Sequence, residues 1–380
     1  MHVAYLCADP GIPVDGSKGA SIHVQEIVRA FQRRGDTVTV YATRTDDADL
    51  AALAGARVVT VPVGRGDAAL REQQVAAAAG ALAAQAAADG CDLVYERYAL
   101  FSDAATRIGV PAIVEVNAPL IEEQREYRTL VDEAGAEATT HRLLSGASVV
   151  ACVSEPVAQW AGAHGAAAPV VAPNGVDTRR FRPAEHWRGP LRVVFVGSLK
   201  PWHGVDVALD ALAGVAGVEL TVVGDGPERA RLEQRAAERG ITVEWLGSRT
   251  HAEIPGILSG MQVGLAPYPP SAGDYFSPLK AYEYLAAGLA VVASGVGQLP
   301  DLIAHDRTGI IVPPGDEHAL RDAATALRDD RDAARRLGAA ARAQAVDLHD
   351  WDRTLATILA ALPASVRDAS RDAPHREVRA

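Results

Sequence analysis

Methionine and cysteine are scarce in this 380-residue chain, two of the first and three of the second, and aromatic residues make up only 5%. Cys7, Cys91 and Cys152 are isolated, odd in number and set in apolar runs. That pattern argues against a disulfide framework or a zinc site and predicts buried thiols in a reducing compartment, taken here as the cytoplasm. No Lys/Arg block interrupts a net charge of −11, so there is no footprint for nucleic acid binding through counterion release. No apolar run reaches about 18 residues, and MHVAYLCAD opens without a basic leader or a small-residue cleavage site. Neither a membrane span nor a signal peptide is expected. G-x-x-x-x-G-K-[ST], G-x-G-x-x-G after the first strand, G-x-S-x-G and H-E-x-x-H are all missing. Their absence argues against NTP hydrolysis, plain dinucleotide redox and serine hydrolysis.

What is present is a soluble-protein composition, 48% hydrophobic and 22% charged, long enough for two domains of about 150 to 200 residues each. Apolar runs alternate with longer periodic segments. In the first half the runs are His2 to Cys7, Thr37 to Ala42, Val58 to Val63, Leu93 to Glu96, Ala112 to Val116 and Ser148 to Val153. Helices are predicted over Ser21 to Arg34, about Ala68 to Ala88, and a stretch reaching about Leu144. Continuous apolar strands without period-2 alternation belong to a parallel sheet covered on both faces. After Pro173-Asn174-Gly175 and a stretch rich in Arg, Pro and Trp, the pattern restarts at RVVFVGS. The second series is Arg192 to Gly197, Glu219 to Val223, Val243 to Leu246, Val263 to Pro267, Ala290 to Ala293 and Gly309 to Val312. Trp351 to Leu362 reads as a last amphipathic helix, and the residues after Pro363 as a polar tail.

Ligands of open parallel sheets bind beyond the carboxyl ends of the strands, so the loops there are where chemistry is sought. Gly11 to Ser21 ends in KGAS before a helix, where small residues admit a ligand and a helix start can hold an anion. VGSLKPWHG crowds Lys200, Trp202 and His203 into one turn; the plain alternative is a capped turn with Trp202 packed in the core. VVGDGPER brings Gly224 and Gly226 into a tight turn, weak evidence alone. SPLKAYEYLAAG predicts a helix with Ser277 as N-cap and Pro278 at the first helical position, an anion site, with Glu283 two turns in, where it could accept ribose hydroxyls. Its alternative is an ordinary amphipathic helix. Asp47-Ala48-Asp49 and Asp330-Arg331-Asp332 match the D-x-D string of metal-bound sugar nucleotides but sit where solvated loop acids are expected.

Taken together, these segments resemble the large retaining glycosyltransferase family 4. The strings that carry the resemblance are KGASIHV, CVSEPV, APNGVDTRRFRP, FVGSLKPWHGVDVALDAL, VVGDGPER, SPLKAYEYLAAGLAVVAS and GIIVPPGDEHAL, in the expected order over residues 1 to about 362. The resemblance implies an α/β, GT-B fold: two facing Rossmann-like doubly wound domains with an interdomain cleft and a C-terminal crossover helix. The boundaries expected are 1–184 for an acceptor-binding domain, 185–348 for a nucleotide-sugar domain, about 349–363 for the crossover helix and 364–380 for the tail.

By the same resemblance, the backbone of Ser277, Pro278 and Leu279 would hold the donor pyrophosphate, Glu283 the ribose, and the loop ending at Arg249 the base. Gly19 and Ala20 would face the diphosphate or the transferred sugar, with Asn117 near that sugar. Ser198, Gly226 and Tyr275 complete the donor side, and His23 and Glu115 are assigned to the acceptor. Ser198 and His203 stand where relatives carry an Arg and a Lys that neutralise the leaving diphosphate. Lys200 is expected to supply that charge, with His203 a second donor. The E-x7-E pattern keeps only its second carboxylate, Glu283, because Tyr275 occupies the place of the first.

The expected function is sugar transfer from a nucleoside diphosphate sugar, a UDP-sugar favoured over a GDP-sugar, with retention and front-face attack. The expected catalytic residues are Lys200, His203 and Asn117. No metal or other cofactor is expected. A soluble small molecule or glycan precursor is expected as acceptor; Arg29, Arg33 and Arg34 form only a modest basic face, so membrane association is not favoured. Two alternatives stay open: related GT-B chemistry such as pseudo-glycosyl coupling or sugar-nucleotide epimerisation, and a donor-binding subunit without strong catalysis.

Overall fold

The computed structural model describes residues 1–46, 50–185, 187–271, 278–364 and 366. The apolar runs become thirteen strands among the described residues, all paired in parallel. They are β1 (His2–Cys7), β2 (Thr37–Ala42), β3 (Arg57–Thr60), β4 (Leu93–Arg97), β5 (Ala112–Val116), β6 (Val149–Cys152), β7 (Val170–Val171), β8 (Leu191–Val196), β9 (Val218–Val223), β10 (Val243–Gly247), β11 (Val263–Ala266), β12 (Ala290–Ser294) and β13 (Gly309–Val312). The chain forms two compact units, Met1–Pro173 with the chain from Trp351, and Asn174–Asp350. The first carries the sheet order β3-β2-β1-β4-β5-β6-β7, the second β10-β9-β8-β11-β12-β13. Each is a Rossmann-like doubly wound sheet, and the strand order reverses at β1/β4 and at β8/β11, where such sheets bind ligands.

Three helices carry candidate residues or pack on those that do: α1 (Gly19–Arg33), α2 (Leu279–Ala286) and α3 (Trp351–Ala360). α3 lays Leu355 and Ile358 inward and packs on α1 within the first unit, and its Asp352 meets Arg33 at 2.6 Å. The first boundary falls at Pro173 rather than after residue 184, because Val176 bridges Asp350 and Phe181 is buried with Tyr282 and Leu285. His349 also stays with the second unit, its ring edge-on to Tyr282 at 5.4 Å.

Strand positions follow the sequence pattern closely, while two features depart from it. The helical stretch expected to reach Leu144 breaks into Leu120–Tyr127 and Glu133–Gly146. Glu72 takes the N–H groups of Val131 and Asp132 at 2.8 and 2.9 Å, and the Asp132 carboxylate caps the second helix through Gly135 N–H at 2.9 Å. β7 is two residues long, too short to leave a periodic signal.

In the second unit the loops after β8 and β9 meet backbone to backbone. Gly197 N–H donates to the Val223 carbonyl at 2.9 Å, Leu199 N–H to Asp225 at 2.9 Å, and Glu228 N–H to Leu199 at 3.2 Å. Gly224 has φ +134°, and a Cβ there would stand 1.9 Å from the Gly197 carbonyl oxygen. Gly204, at φ +62°, would bring a Cβ to 1.8 Å from the Pro267 carbonyl oxygen. Gly240, at φ +63°, has nothing within 4 Å, so Gly240→Ala isolates the conformational cost, about 1 kcal/mol. Gly204→Ala adds a backbone clash and is expected to cost at least about 2 kcal/mol more in urea unfolding. Equal losses in the two variants would show that the loops separate without penalty.

Candidate functional site

The turn after β8 stands at the carboxyl end of the strand that flanks the second unit's reversal point. Lys200 is half-buried with Nζ 5.6 Å from the centre of the Trp202 ring. Trp202 is 53% exposed, so the core-packing alternative does not hold for it. His203 donates Nδ1–H to the Ser198 carbonyl at 2.5 Å, which leaves Nε2 with its lone pair. Burial, then the positive charge of Lys280, pulls its imidazole down to about 3. His203 is therefore a neutral ring whose one N–H is spent within the turn, where the sequence had made it a second donor beside Lys200. Ser198 is exposed and contributes its carbonyl to this contact.

α2 is fastened to strands β8 and β11 through Tyr284 and to the loop after β10 through Glu283. Tyr284 Oη accepts Val196 N–H at 2.7 Å, and its ring lies against Gly264 of β11, where a Cβ would come within 2.5 Å of it. Glu283 Oε1 meets His251 Nε2 at 2.9 Å, and His251 Nδ1 lies 2.9 Å from Arg180 Nη1. A guanidinium only donates, so Nδ1 is the acceptor and the His251 proton sits on Nε2, directed at the carboxylate. Arg180 also donates Nη2–H to the His251 carbonyl at 2.8 Å. A charged relay thus fixes one oxygen of Glu283, whose side chain is 13% exposed. Arg180 and His251 escaped the sequence reading, because they are 71 positions apart and only the fold joins them.

Lys280 was also missed. It is 9% exposed, and its Nζ meets no hydrogen-bond acceptor among the described residues. Instead it lies over the rings of Phe195 at 4.2 Å and Tyr268 at 5.1 Å. Burial lowers its ammonium from the ordinary lysine value to about 7, with Glu283 pulling the other way. The signal in the sequence was positional: Lys280, Ala281, Tyr284 and Leu285 share the apolar stripe of α2, all buried.

The remaining donor-side residues divide. Gly226 is part of the loop contact, since a Cβ there would meet the Leu199 carbonyl oxygen at 2.4 Å. Arg249 is exposed just past β10 and pairs loosely with Glu253 at 3.4 Å. Tyr275 and Ser277 lie outside the described residues, as do Asp47 and Asp49. α2 begins at Leu279, so Pro278, with ψ 87°, flanks the helix instead of opening it. Asp330 caps a helix by accepting Ala333 N–H at 2.8 Å, and Asp332 pairs with Arg335 at 3.1 Å.

In the first unit, α1 starts at Gly19, two residues earlier than expected, with Lys18 flanking it and no side chain capping the turn. Gly19 is exposed and Ala20 half-buried. Asn117, two residues beyond Glu115 of β5, is half-buried with Nδ2 lacking an acceptor among the described residues. His23 and Glu115 are 2% and 3% exposed, their Nε2 and Oε1 2.5 Å apart, and the Trp351 ring stands edge-on to His23 at 4.8 Å. Burial raises the Glu115 carboxyl, yet His23 and then Arg97 hold it below its ordinary value. The sequence assigned both residues to acceptor binding; the structure gives them to the core, where they join α1, β5 and α3.

Comparison with known proteins agrees with this architecture. Residues 17–180 match the family described as Glycosyltransferase Family 4 and residues 190–330 the one described as Glycosyl transferases group 1. A GDP-mannose-dependent alpha-(1-6)-phosphatidylinositol dimannoside mannosyltransferase of Mycobacterium tuberculosis is 35% identical over 217 residues, 53% of this chain and 53% of that protein. The chain spans about half the length of such curated relatives. Sucrose-phosphate synthase from Thermosynechococcus elongatus superposes with a TM-score of 0.73 at 21% identity, over 93% of this chain and 96% of that one. Anabaena HepE in complex with UDP gives 0.70 at 17%, over 98% and 99%. The fold is that of the GT-B enzymes. The chain belongs to the group 1, family 4 glycosyltransferases.

If the relay sets Glu283, Arg180→Ala and His251→Ala each weaken nucleoside diphosphate binding about 5- to 30-fold, and the double variant loses little more than either. Additive losses by calorimetry count against a single relay.

Proposed function

We propose that the chain transfers a sugar from a nucleoside diphosphate sugar, with the donor on the carboxyl edge of the second sheet. The observation that carries this is the Arg180–His251–Glu283 relay, which holds a carboxylate oxygen of α2 in place. A carboxylate so held is suited to accepting ribose hydroxyls, while the helix start suits phosphate. Arg249, past β10, then stands toward the base. GDP-mannose is the first donor to try, because the 35%-identical relative is named for it, and UDP-sugars the second, because HepE was solved with UDP.

The chemistry proposed is retention by front-face attack, in which a leaving-phosphate oxygen takes the acceptor proton. The protein then orients two substrates and stabilises diphosphate charge. Lys200 is a half-exposed cation for that task. His203, with its lone pair on Nε2, is an acceptor at the same turn rather than a charge.

A polar acceptor is favoured over one held in a bilayer. Along α1, Arg29 pairs with Glu26, Arg33 with Asp352 and Arg34 with Asp36, so the basic face is largely neutralised. No helix among the described residues is long and apolar enough to cross a membrane. The named acceptor of the mycobacterial relative, a phosphatidylinositol mannoside, is the contrasting case.

A thermal-shift panel of GDP, UDP, GDP-mannose and UDP-sugars is expected to raise the melting temperature with one base, and slow donor hydrolysis to release that nucleoside diphosphate. Glu283→Ala should remove the shift. Lys200→Ala should lower turnover about 10²-fold with binding largely kept. A panel with no shift, or full turnover in Lys200→Ala, refutes the corresponding assignment. Sedimentation with anionic vesicles is expected to leave the protein in the supernatant.

A further inference from the structure

A diphosphate leaving group needs a fixed positive charge, and the turn after β8 supplies little: Ser198 is uncharged, His203 is neutral and Lys200 stands half in solvent. One cation at this end of the sheet is buried. Lys280 Nζ reaches across from α2 to the end of β8, and a Cβ added to Gly197 would lie only 2.9 Å from it. The amine is 4.2 Å from the Phe195 ring and 5.1 Å from the Tyr268 ring, an apolar collar that supplies no counter-ion. Lysine is almost never buried without a partner in a finished core, since the charge loses its hydration. Here no acceptor meets it among the described residues.

We propose that Lys280 is the donor-diphosphate cation of this site, held in its aromatic collar until the phosphate arrives. The proposal rests on the donor reading above. Gly197 puts no side chain against the ammonium, where a Cβ would stand 2.9 Å away, and Glu283, one turn further along α2, is the neighbouring ribose ligand of that reading. Binding then couples to a proton. The free amine titrates near 7, and a phosphate beside it restores its ordinary preference for the ammonium form, so the nucleotide is bound with net proton uptake above neutral pH. Among the described residues, the neighbouring groups do not titrate in this window. His203, from the turn after β8, is neutral above about 3, and burial keeps the Tyr268 hydroxyl above its ordinary range. Glu283 on the same helix and Lys200 in the turn are the charged neighbours.

The test is calorimetric titration of the full chain with GDP and with UDP between pH 7.5 and 9, in two buffers of different ionisation enthalpy. For the nucleotide that binds, the wild type is expected to take up a proton and to lose affinity by up to about tenfold per pH unit across this window. Lys280→Met, close in shape and suited to the apolar collar, should bind at least about tenfold more weakly and show neither proton uptake nor the pH slope. Lys280→Arg should recover affinity without the slope, because arginine does not titrate there. A flat wild-type profile without proton uptake overturns the proposal whether or not the variants fold. A Lys280→Met that binds like the wild type with the same uptake overturns it while leaving the donor reading intact. Binding of neither nucleotide by the wild type overturns the donor reading and this proposal together.

Discussion

Backbone lies directly on backbone where the loops after β8 and β9 meet, and the candidate site depends on that contact. The Gly224 α-carbon faces the Gly197 carbonyl with no room for a methyl group, and Gly226 does the same against Leu199. Three main-chain hydrogen bonds close the gap. They fix the path of the chain through Ser198 and Leu199 and so the turn that carries Lys200 and His203. Gly204 then lets the same turn settle against Pro267 after β11. Side chains make the chemistry, but the spacing of two sheet loops decides where those side chains can be.

Polar groups in the site are arranged in two contrasting ways. Glu283 is over-determined: a histidine holds it and an arginine holds the histidine in one tautomer. Lys280 is under-determined, a charge kept among rings. The first arrangement fixes a geometry before any ligand is present, and the second leaves a buried amine without an acceptor among the described residues. Glu115 in the first unit is a third case. Its partners His23 and Arg97 keep it ionised in the buried interior, where it ties elements of the first unit together.

Strands were the most legible feature. β1, β2, β5 and β13 start and stop where apolar runs meet Thr, Ala, Gly or Val boundaries visible in the sequence, because a parallel strand buried on both faces shows as an unbroken apolar run. Helix ends were less legible. α1 begins at Gly19 although glycine is a poor helix former, and α2 begins after Pro278 although proline favours a first helical position. Within the site, Glu283 could be singled out because it is the lone carboxylate on its helix. His251 and Arg180 could not, since each is an ordinary loop residue until the fold brings them together. His23 and Glu115, read from the sequence as acceptor-side residues, lie 2% and 3% exposed, a burial that their residue types alone did not signal.

The chain leaves its first unit at Pro173 and returns to it at Trp351. Trp351 is almost wholly enclosed there, against His23, and Leu355 and Ile358 complete the face of α1. A ribosome therefore makes the first unit first and finishes it last. The second unit is one unbroken stretch and can close as soon as it emerges, while the apolar face of α1 waits uncovered for α3. A chain stopped short of residue 351 would keep every strand of both sheets and still leave its amino-terminal half open.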